Sequence, residues 1–270
     1  MKGTLYLVGT PIGNLADITL RALDTLKSAD VIACEDTRHT LALLNKYEIK
    51  KPLVSYYKQK EKEGTEQIKA FLDEGKNVAL VTDAGMPCIS DPGSVLVRDL
   101  YENGYAYTVV PGVTAVASAA ALVGTENGFA FVGFLPEKNK DRKKILDEVR
   151  ALSRPVAFYC APHDVNDTLD FLYEELGERT VWLVKEITKV FENVNRGVLG
   201  SIRVENPKGE YVLLVEPEKK QAERTDEEIR NRLEEERAKG ADKKTAIKIV
   251  TETLDLPKNR VYKIATKIQK

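Results

Sequence analysis

The run Glu35-Asp36-Thr37-Arg38-His39-Thr40 crowds two carboxylates, a guanidinium and an imidazole together directly after the apolar tetrapeptide VIAC. Carboxylates and imidazole accept protons, and a guanidinium holds phosphate in a planar fork. Such a run at a strand end suits a general base beside an anion clamp. The same residues suit a helix start, in which Asp36 or Thr37 caps the apolar run LALLNKY. Capping accounts for one of those two residues and leaves Arg38 and His39 over.

Three loops rich in Gly and Pro follow short apolar runs: GTPIGN at 9–14, TDAGMPCISDPG at 82–93 and PGVTA at 111–115. Gly lets backbone approach a ligand closely, and Pro holds a loop open. Exposed amides and carbonyls there can read a small molecule. One such loop is ordinary; three on one implied sheet edge favour a ligand. In the second loop, SDPG also reads as a helix start, with Ser90 or Asp91 as cap and Pro92 in the first turn. On that reading only the first half of the loop reads ligand. A further run, LVKEITKVFENVNRG at 183–197, carries Lys185, Glu186, Lys189, Phe191 and Arg196. It is either a solvated connection or part of a site whose cations suit a phosphate-bearing substrate.

These loops need strands and helices to hold them. Strand patterns occur at Gly3–Val8, Val31–Cys34, Asn77–Thr82 and Tyr105–Val110, with helical spacing at 17–27, 66–74 and 114–123. This alternation predicts an α/β domain with a largely parallel sheet. A second α/β or α+β series runs from FAFVGF through PVAFYC, TVWLV and a final strand at 209–216, with helices over 141–152 and 165–176. The joint between the two falls within 112–128. In open α/β sheets ligands sit beyond the carboxyl ends of strands, where the Gly- and Pro-rich loops lie.

Composition narrows the chemistry. The 270 residues suit about two ordinary domains. A net charge of -1 creates no global field for nucleic acid or membrane. The three Cys, Cys34, Cys88 and Cys160, are widely spaced and form no zinc or redox motif, which favours a reducing, cytoplasmic setting. The N-terminus lacks the apolar core of a signal peptide, and no apolar stretch is long enough to span a membrane. GxxxxGK[ST], GxGxxG and GxSxG runs are missing, and His39 and His163 stand apart from any second ligand, so no metal site is expected.

The last fifty residues change character. Thr225 with Glu228 reads as a capping box and Gly240 as a helix stop, with further helices after Asp242 and after Pro257. Residues 221–237 hold four Lys and Arg against seven Asp and Glu; residues 238–270 hold nine against three. Three short helices with a basic end suit a helix-turn-helix-like, nucleic-acid-binding module, or else a solvated helical tail or a dimerisation element.

Taken together, PIGNLADIT (11–19), EDTRHT (35–40), SDPG (90–93), GFLP (133–136) and EITK (186–189) resemble the ribosomal RNA small-subunit methyltransferase I family of the tetrapyrrole methylase superfamily, in order and spacing over nearly the whole chain. The resemblance implies two α/β domains, 1–113 and 114–220, with S-adenosylmethionine in the cleft between them, and a helical tail over 221–270. It implies cofactor contacts from Pro11, Ile12, Asp83, Ala84, Gly85, Cys88, Thr114 and Ala115, with Cys160 and Ile187 added by position. It further implies 2′-O-methylation of a cytidine in the decoding centre of 16S rRNA, by a homodimer. Met86-Pro87 replaces the family's usual Thr-Pro, and Cys160-Ala161-Pro162-His163-Asp164 replaces its frequent Glu-Ser-Pro-His-Arg.

The donor's methyl is already activated, so the protein has mainly to align hydroxyl, methyl carbon and sulfur and to exclude water. A ribose hydroxyl is a weak acid and needs a proton acceptor. Glu35, Asp36 or His39 is expected to serve, with Arg38 clamping phosphate. Lys185, Lys189, Lys243, Lys244, Lys258 and Arg260 are the expected RNA contacts, with Lys248 and Lys263 beside them. The rivals are a tetrapyrrole (precorrin-type) methyltransferase and a non-enzymatic rRNA-binding assembly factor. PIGN, EDTRHT and the basic tail disfavour the first; the loop constellation disfavours the second.

Overall fold

In the computed structural model, which describes residues 1–126, 128–218, 225–254 and 256–268, five short apolar runs form a first, all-parallel sheet. They are β1 (Thr4–Val8), β2 (Val31–Cys34), β3 (Leu53–Ser55), β4 (Val78–Val81) and β5 (Ala106–Val110), in the order β3-β2-β4-β1-β5. VIAC and VALV are buried at every position, as strands covered on both faces must be. On one face α1 (Leu20–Ser28) and α2 (Thr37–Lys46) pack Leu26 and Leu44 against Ile32 and Val81. On the other, α3 (Glu61–Asp73) and α4 (Ser94–Glu102) pack Ile68, Leu72, Leu96 and Leu100 against Leu5 and Leu80.

The second sheet is mixed. It contains β6 (Ala130–Phe134), β7 (Val156–Cys160), β8 (Thr180–Lys185), β9 (Asn193–Val198) and β10 (Tyr211–Val215), ordered β6-β7-β10-β8-β9, with only β6–β7 parallel. The Ala-rich α5 (Ala115–Val123) covers one face through Val116, Ala119 and Ala120. On the other face lie α6 (Asn139–Arg150) and α7 (Val165–Leu176).

Several boundaries differ from the expected ones, for local reasons. The helix expected at 66–74 begins at Glu61. Gly64 inside it reads as a breaker, yet a Cβ there would come within 2.6 Å of the Tyr56 ring, so glycine is what lets the helix pack. The helix expected from 17 begins at Leu20, because the Thr19 side chain accepts the Ala22 N–H. α4 is capped by neither Ser90 nor Asp91: its N-cap is Gly93, at φ 132°, and Pro92 lies outside the helix. β3 and β9 were not expected. β3 is three residues long, and β9 (NVNRGV) is an edge strand too exposed to carry an apolar pattern.

Backbone contacts group the chain into two compact units, Met1–Pro217, which holds both sheets, and Glu218–Lys270. The expected boundary at 220/221 lies outside the described residues. The second unit contains α8 (Asp226–Ala238), α9 (Lys243–Leu254) and α10 (Lys258–Lys267), packed around Ile229, Leu233, Ile247, Val250, Val261 and Ile264. Its capping box forms, and Gly240 follows α8 at φ 94°. Asp255, in the expected turn, is outside the described residues. Among the described residues no helix is long and apolar enough to cross a membrane.

Candidate active site

The loops at the carboxyl ends of β1, β4 and β5 are fastened to one another. Thr10 N–H donates to Gly85 O at 2.8 Å and Gly85 N–H donates to Thr10 O at 3.1 Å, while Thr10 Oγ1 donates to Thr82 O at 3.1 Å. Gly9 and Gly112 meet face to face: a Cβ on Gly9 would lie 2.7 Å from Gly112 Cα. Only the absence of side chains at both positions lets the first and third loops close.

These loops form one wall of a cavity of about 390 Å³ inside Met1–Pro217; β6, β7, β10 and the β8–β9 turn form the other. Ile12, Asp83, Ala84, Gly85, Thr114, Ala115, Cys160 and Ile187 line it, so eight of the ten expected cofactor residues converge. Pro11 and Cys88 do not. Pro11 is buried away from the lining, and the Cys88 sulfur turns toward Gly93, whose Cβ would lie 2.8 Å from it. Burial pushes the Cys88 thiol up to about 11. The lining also includes Met86, Ser90, Asp91, Phe134, Tyr159 and Tyr211, none of them anticipated. Phe134 and Tyr159 stack edge to face with centroids 5.5 Å apart, and the Tyr159 hydroxyl accepts the Val116 N–H.

Strained backbone gathers here. Cys88 (φ 70°) and Ser90 (φ 66°) lie in the second loop, and Glu186 (φ 51°) and Thr188 (φ 65°) flank Ile187. Each such residue costs about 1–3 kcal/mol and persists only where its surroundings enforce it. The enforcement around Ile187 is visible. The Thr188 hydroxyl donates to Asp17 Oδ2, and Lys189 Nζ reaches Glu186 at 2.9 Å and Glu210 at 3.0 Å. The Lys189 stem lies within 2.5 Å of where a Gly13 Cβ would stand. Lys189, expected to meet RNA, pairs with Glu186 and Glu210 and lays its stem against Gly13 of the first loop. Lys185 lies outside the cavity, in a separate groove with Asn193, Asn195 and Arg203, its Nζ 5.8 Å from the Tyr211 ring centroid.

Three carboxyl groups set the electrostatics. Asp91 is pushed up to about 7, chiefly by burial and then by the Glu35 charge, with Asp83 adding to it. Burial, followed by the Asp83 charge, also raises Glu35. Asp83 Oδ1 accepts the Asp36 N–H at 3.1 Å. Asp36 differs sharply from these. It caps α2, accepts Arg38 N–H at 2.8 Å and pairs with the Arg38 guanidinium at 2.7 Å, which holds it down at about 2. Arg38 and His39 are exposed and lie outside the cavity lining. Among the expected proton acceptors, Glu35 is the one whose charge raises the Asp91 pKa. Asp91, expected only as a helix cap within SDPG, stands on the cavity wall.

In the helical unit Lys243, Lys244 and Lys258 are exposed, whereas Arg260 is half-buried with its guanidinium 3.1 Å from Asp226.

The cavity suits a small amphipathic cofactor. Its volume falls in the usual range for ligand sites, about 300–1,000 Å³. Apolar walls at Ile12 and Ile187 face backbone groups brought close by Gly85. The Tyr211 hydroxyl is buried without a hydrogen-bond partner among the described residues. Those features fit an S-adenosylmethionine-sized molecule. A carboxyl group poised near neutrality on the wall can take up a proton there.

Known proteins agree with this architecture. The family model described as "Tetrapyrrole (Corrin/Porphyrin) Methylases" matches residues 4–203. Ribosomal RNA small subunit methyltransferase I of Bacillus subtilis (strain 168) is 41% identical over 273 residues, covering 96% of this chain and 93% of its own. The protein of the same name from Thermotoga maritima is 42% identical over 218 residues, covering 79% of this chain but 98% of its own. A crystal structure of diphthine synthase shares the fold at a TM-score of 0.64 with 16% identity, covering 80% of this chain and 90% of that one. The chain therefore belongs to the ribosomal RNA small subunit methyltransferase I family, within the tetrapyrrole methylases.

Proposed function

We propose that the protein transfers a methyl group from S-adenosylmethionine to the ribose 2′-hydroxyl of a cytidine in the decoding centre of 16S rRNA. The observation that carries this is the cavity itself: three glycine-punctuated loops meet there, and Asp91, with a pKa near 7, stands on its wall. The cofactor, when bound, supplies a sulfonium-activated methyl group. Backbone of Ala84 and Gly85 and the apolar faces of Ile12 and Ile187 hold it, and Cys160 closes the wall from β7. Asp91 accepts the 2′-hydroxyl proton on a carboxylate oxygen, and its burial, with the Glu35 charge adding to it, holds Asp91 basic enough to do so. General-base assistance of this kind contributes about 10²–10⁴-fold. The protein acts as a cytoplasmic homodimer whose helical unit adds affinity for RNA.

The test is incubation with methyl-labelled S-adenosylmethionine and small ribosomal subunits lacking the modification. Nuclease digestion and mass spectrometry then map the label. The expected result is label on the ribose of one cytidine. Label on a base, or none, overturns the reading.

A further inference from the structure

The helical unit divides its charge by helix. α8 carries Asp226, Glu227 and Glu228 in its first turn, while α10 contains no acidic residue. Val261, Ile264 and Ala265 of α10 are buried against α8 and α9. Its outward face is left with Lys258, Asn259, Tyr262, Lys263, Thr266 and Lys267, all exposed, and Tyr262 is 55% exposed despite its size. The three lysines span about 13 Å of helix axis at 1.5 Å per residue. Lys258 sits in the first turn, where the macrodipole disfavours a cation. Nothing in the packing of the bundle asks for this arrangement, and such a local conflict is the usual mark of a functional surface.

We infer that the outward face of α10 is an RNA-docking surface, with the lysines on phosphates and Tyr262 stacked on an unpaired base. This rests on the proposed action on rRNA and says which surface of the accessory unit holds it. Charge decides between occupants. A second copy packed symmetrically would set Lys against Lys, because a two-fold interface repeats the same patch on both sides. A lipid surface needs an apolar helix face to bury, and the apolar face of α10 is spent on the bundle core. RNA offers both phosphates and exposed base faces, which lysines and a tyrosine match. The Thermotoga maritima relative supports an accessory role: 98% of its length aligns with 79% of this chain, which leaves about a fifth of this chain unmatched. On α10 itself the set of expected RNA contacts changes. Arg260 is tied to Asp226, and Tyr262, Asn259 and Lys267 join Lys258 and Lys263.

The experiment measures binding of the full chain to protein-free small-subunit rRNA across a salt series. The triple variant K258Q/K263Q/K267Q should lose at least tenfold in affinity. The slope of log K against log salt should become shallower by about 2, from roughly 0.7 per lost phosphate contact. Tyr262→Ala should weaken binding about tenfold with the slope unchanged, and Tyr262→Phe should restore it. All three leave the bundle core untouched, so circular dichroism melting of the variants should match the parent. The pair E227Q/E234Q, on the exposed acidic side of α8, serves as a control that does not weaken binding. Unchanged affinity and slope in the triple variant overturn the inference, as does a shift in oligomeric state on sedimentation in place of an RNA effect. If α10 variants lower RNA affinity but the parent methylates no rRNA, the proposed reaction fails and the docking surface stands.

Discussion

The Asp83 carboxylate receives the backbone N–H of Asp36 at 3.1 Å, joining the loop after β4 to the head of α2. Asp83 lines the cavity, whereas Asp36 does not. The EDTRHT run therefore acts on the site through a strut, and through the Glu35 charge felt by Asp91, with Asp36 serving the architecture. This separates two roles that the sequence run presents as one.

Asp36 then has a testable division of labour. Asp36→Asn keeps a good N-cap and should leave stability within a few tenths of a kcal/mol, whereas Asp36→Ala should cost about 0.5–2 kcal/mol. Methyl transfer by Asp36→Asn should stay within a few-fold of the parent, because a carboxyl held at about 2 is a poor proton acceptor near neutrality. Loss of activity in Asp36→Asn with stability intact would return Asp36 to the chemistry. Chemical denaturation and a single-turnover assay read the two effects.

Asp91 predicts a pH profile. A base must be ionised, so kcat/KM should rise with pH and level off above about 7, where Asp91 titrates in the free protein. Asp91→Asn should lower kcat by about 10²–10⁴-fold and erase that limb, with cofactor affinity changed by less than about threefold. Glu35→Gln removes a like charge, which favours the ionised form of Asp91, so the limb should move to lower pH. A profile that keeps its limb in Asp91→Asn would show that another group accepts the proton.

Much of this was legible from residue order. VIAC and VALV announce buried parallel strands because nothing polar interrupts them, and Thr225 with Glu228 announces α8 because a capping box has few other uses. Motif similarity, carried over position by position, picked out most of the cavity's loop wall. The failures have physical causes. β9 is an exposed edge whose pairing depends on β8, not on its own pattern. Tyr159 and Tyr211 look like ordinary strand aromatics until β7 and β10 turn them toward loops more than forty residues away. Asp91 sits in a run whose local chemistry suggests a cap, and only burial beside Glu35 and Asp83 distinguishes it.

The same carboxyl group should tax stability in a pH-dependent way. Its folded pKa of about 7 lies above the ordinary 3.8, so ionisation opposes folding. Below the ordinary value both states are protonated, and wild type and Asp91→Asn should melt alike. The stability held by the protonated form is lost as pH rises through about 7, where Asn should be the more stable by about 1–2 kcal/mol. That is less than half of what three pKa units would carry, because solvent screens the partly exposed side chain. In a unit of this size the gain amounts to about 2–8 °C in Tm. Equal Tm values at pH 8 would contradict the burial of a charged Asp91.

Gly9 and Gly85 make the sharpest contrast between space and conformation. A Cβ on Gly9 meets Gly112 Cα and N at 2.7 Å and Met86 Sδ at 2.6 Å, and the backbone of a facing loop has nowhere to go. Gly9→Ala should therefore part the first and third loops, costing about 1–3 kcal/mol as overpacking does. Because those loops carry Ile12 and Thr114 on the cavity wall, cofactor affinity should fall at least about tenfold, the loss expected when ligand-holding groups shift by a fraction of an ångström. A Cβ on Gly85 has room, its nearest neighbour being Ile12 Cγ2 at 3.5 Å, but φ there is 84°. Gly85→Ala should cost about 1 kcal/mol from the backbone alone and weaken cofactor binding less than Gly9→Ala does. Isothermal titration with S-adenosylmethionine and thermal melting of both variants decide the order. If Gly9→Ala binds as tightly as the parent, the first and third loops do not shape the cofactor site.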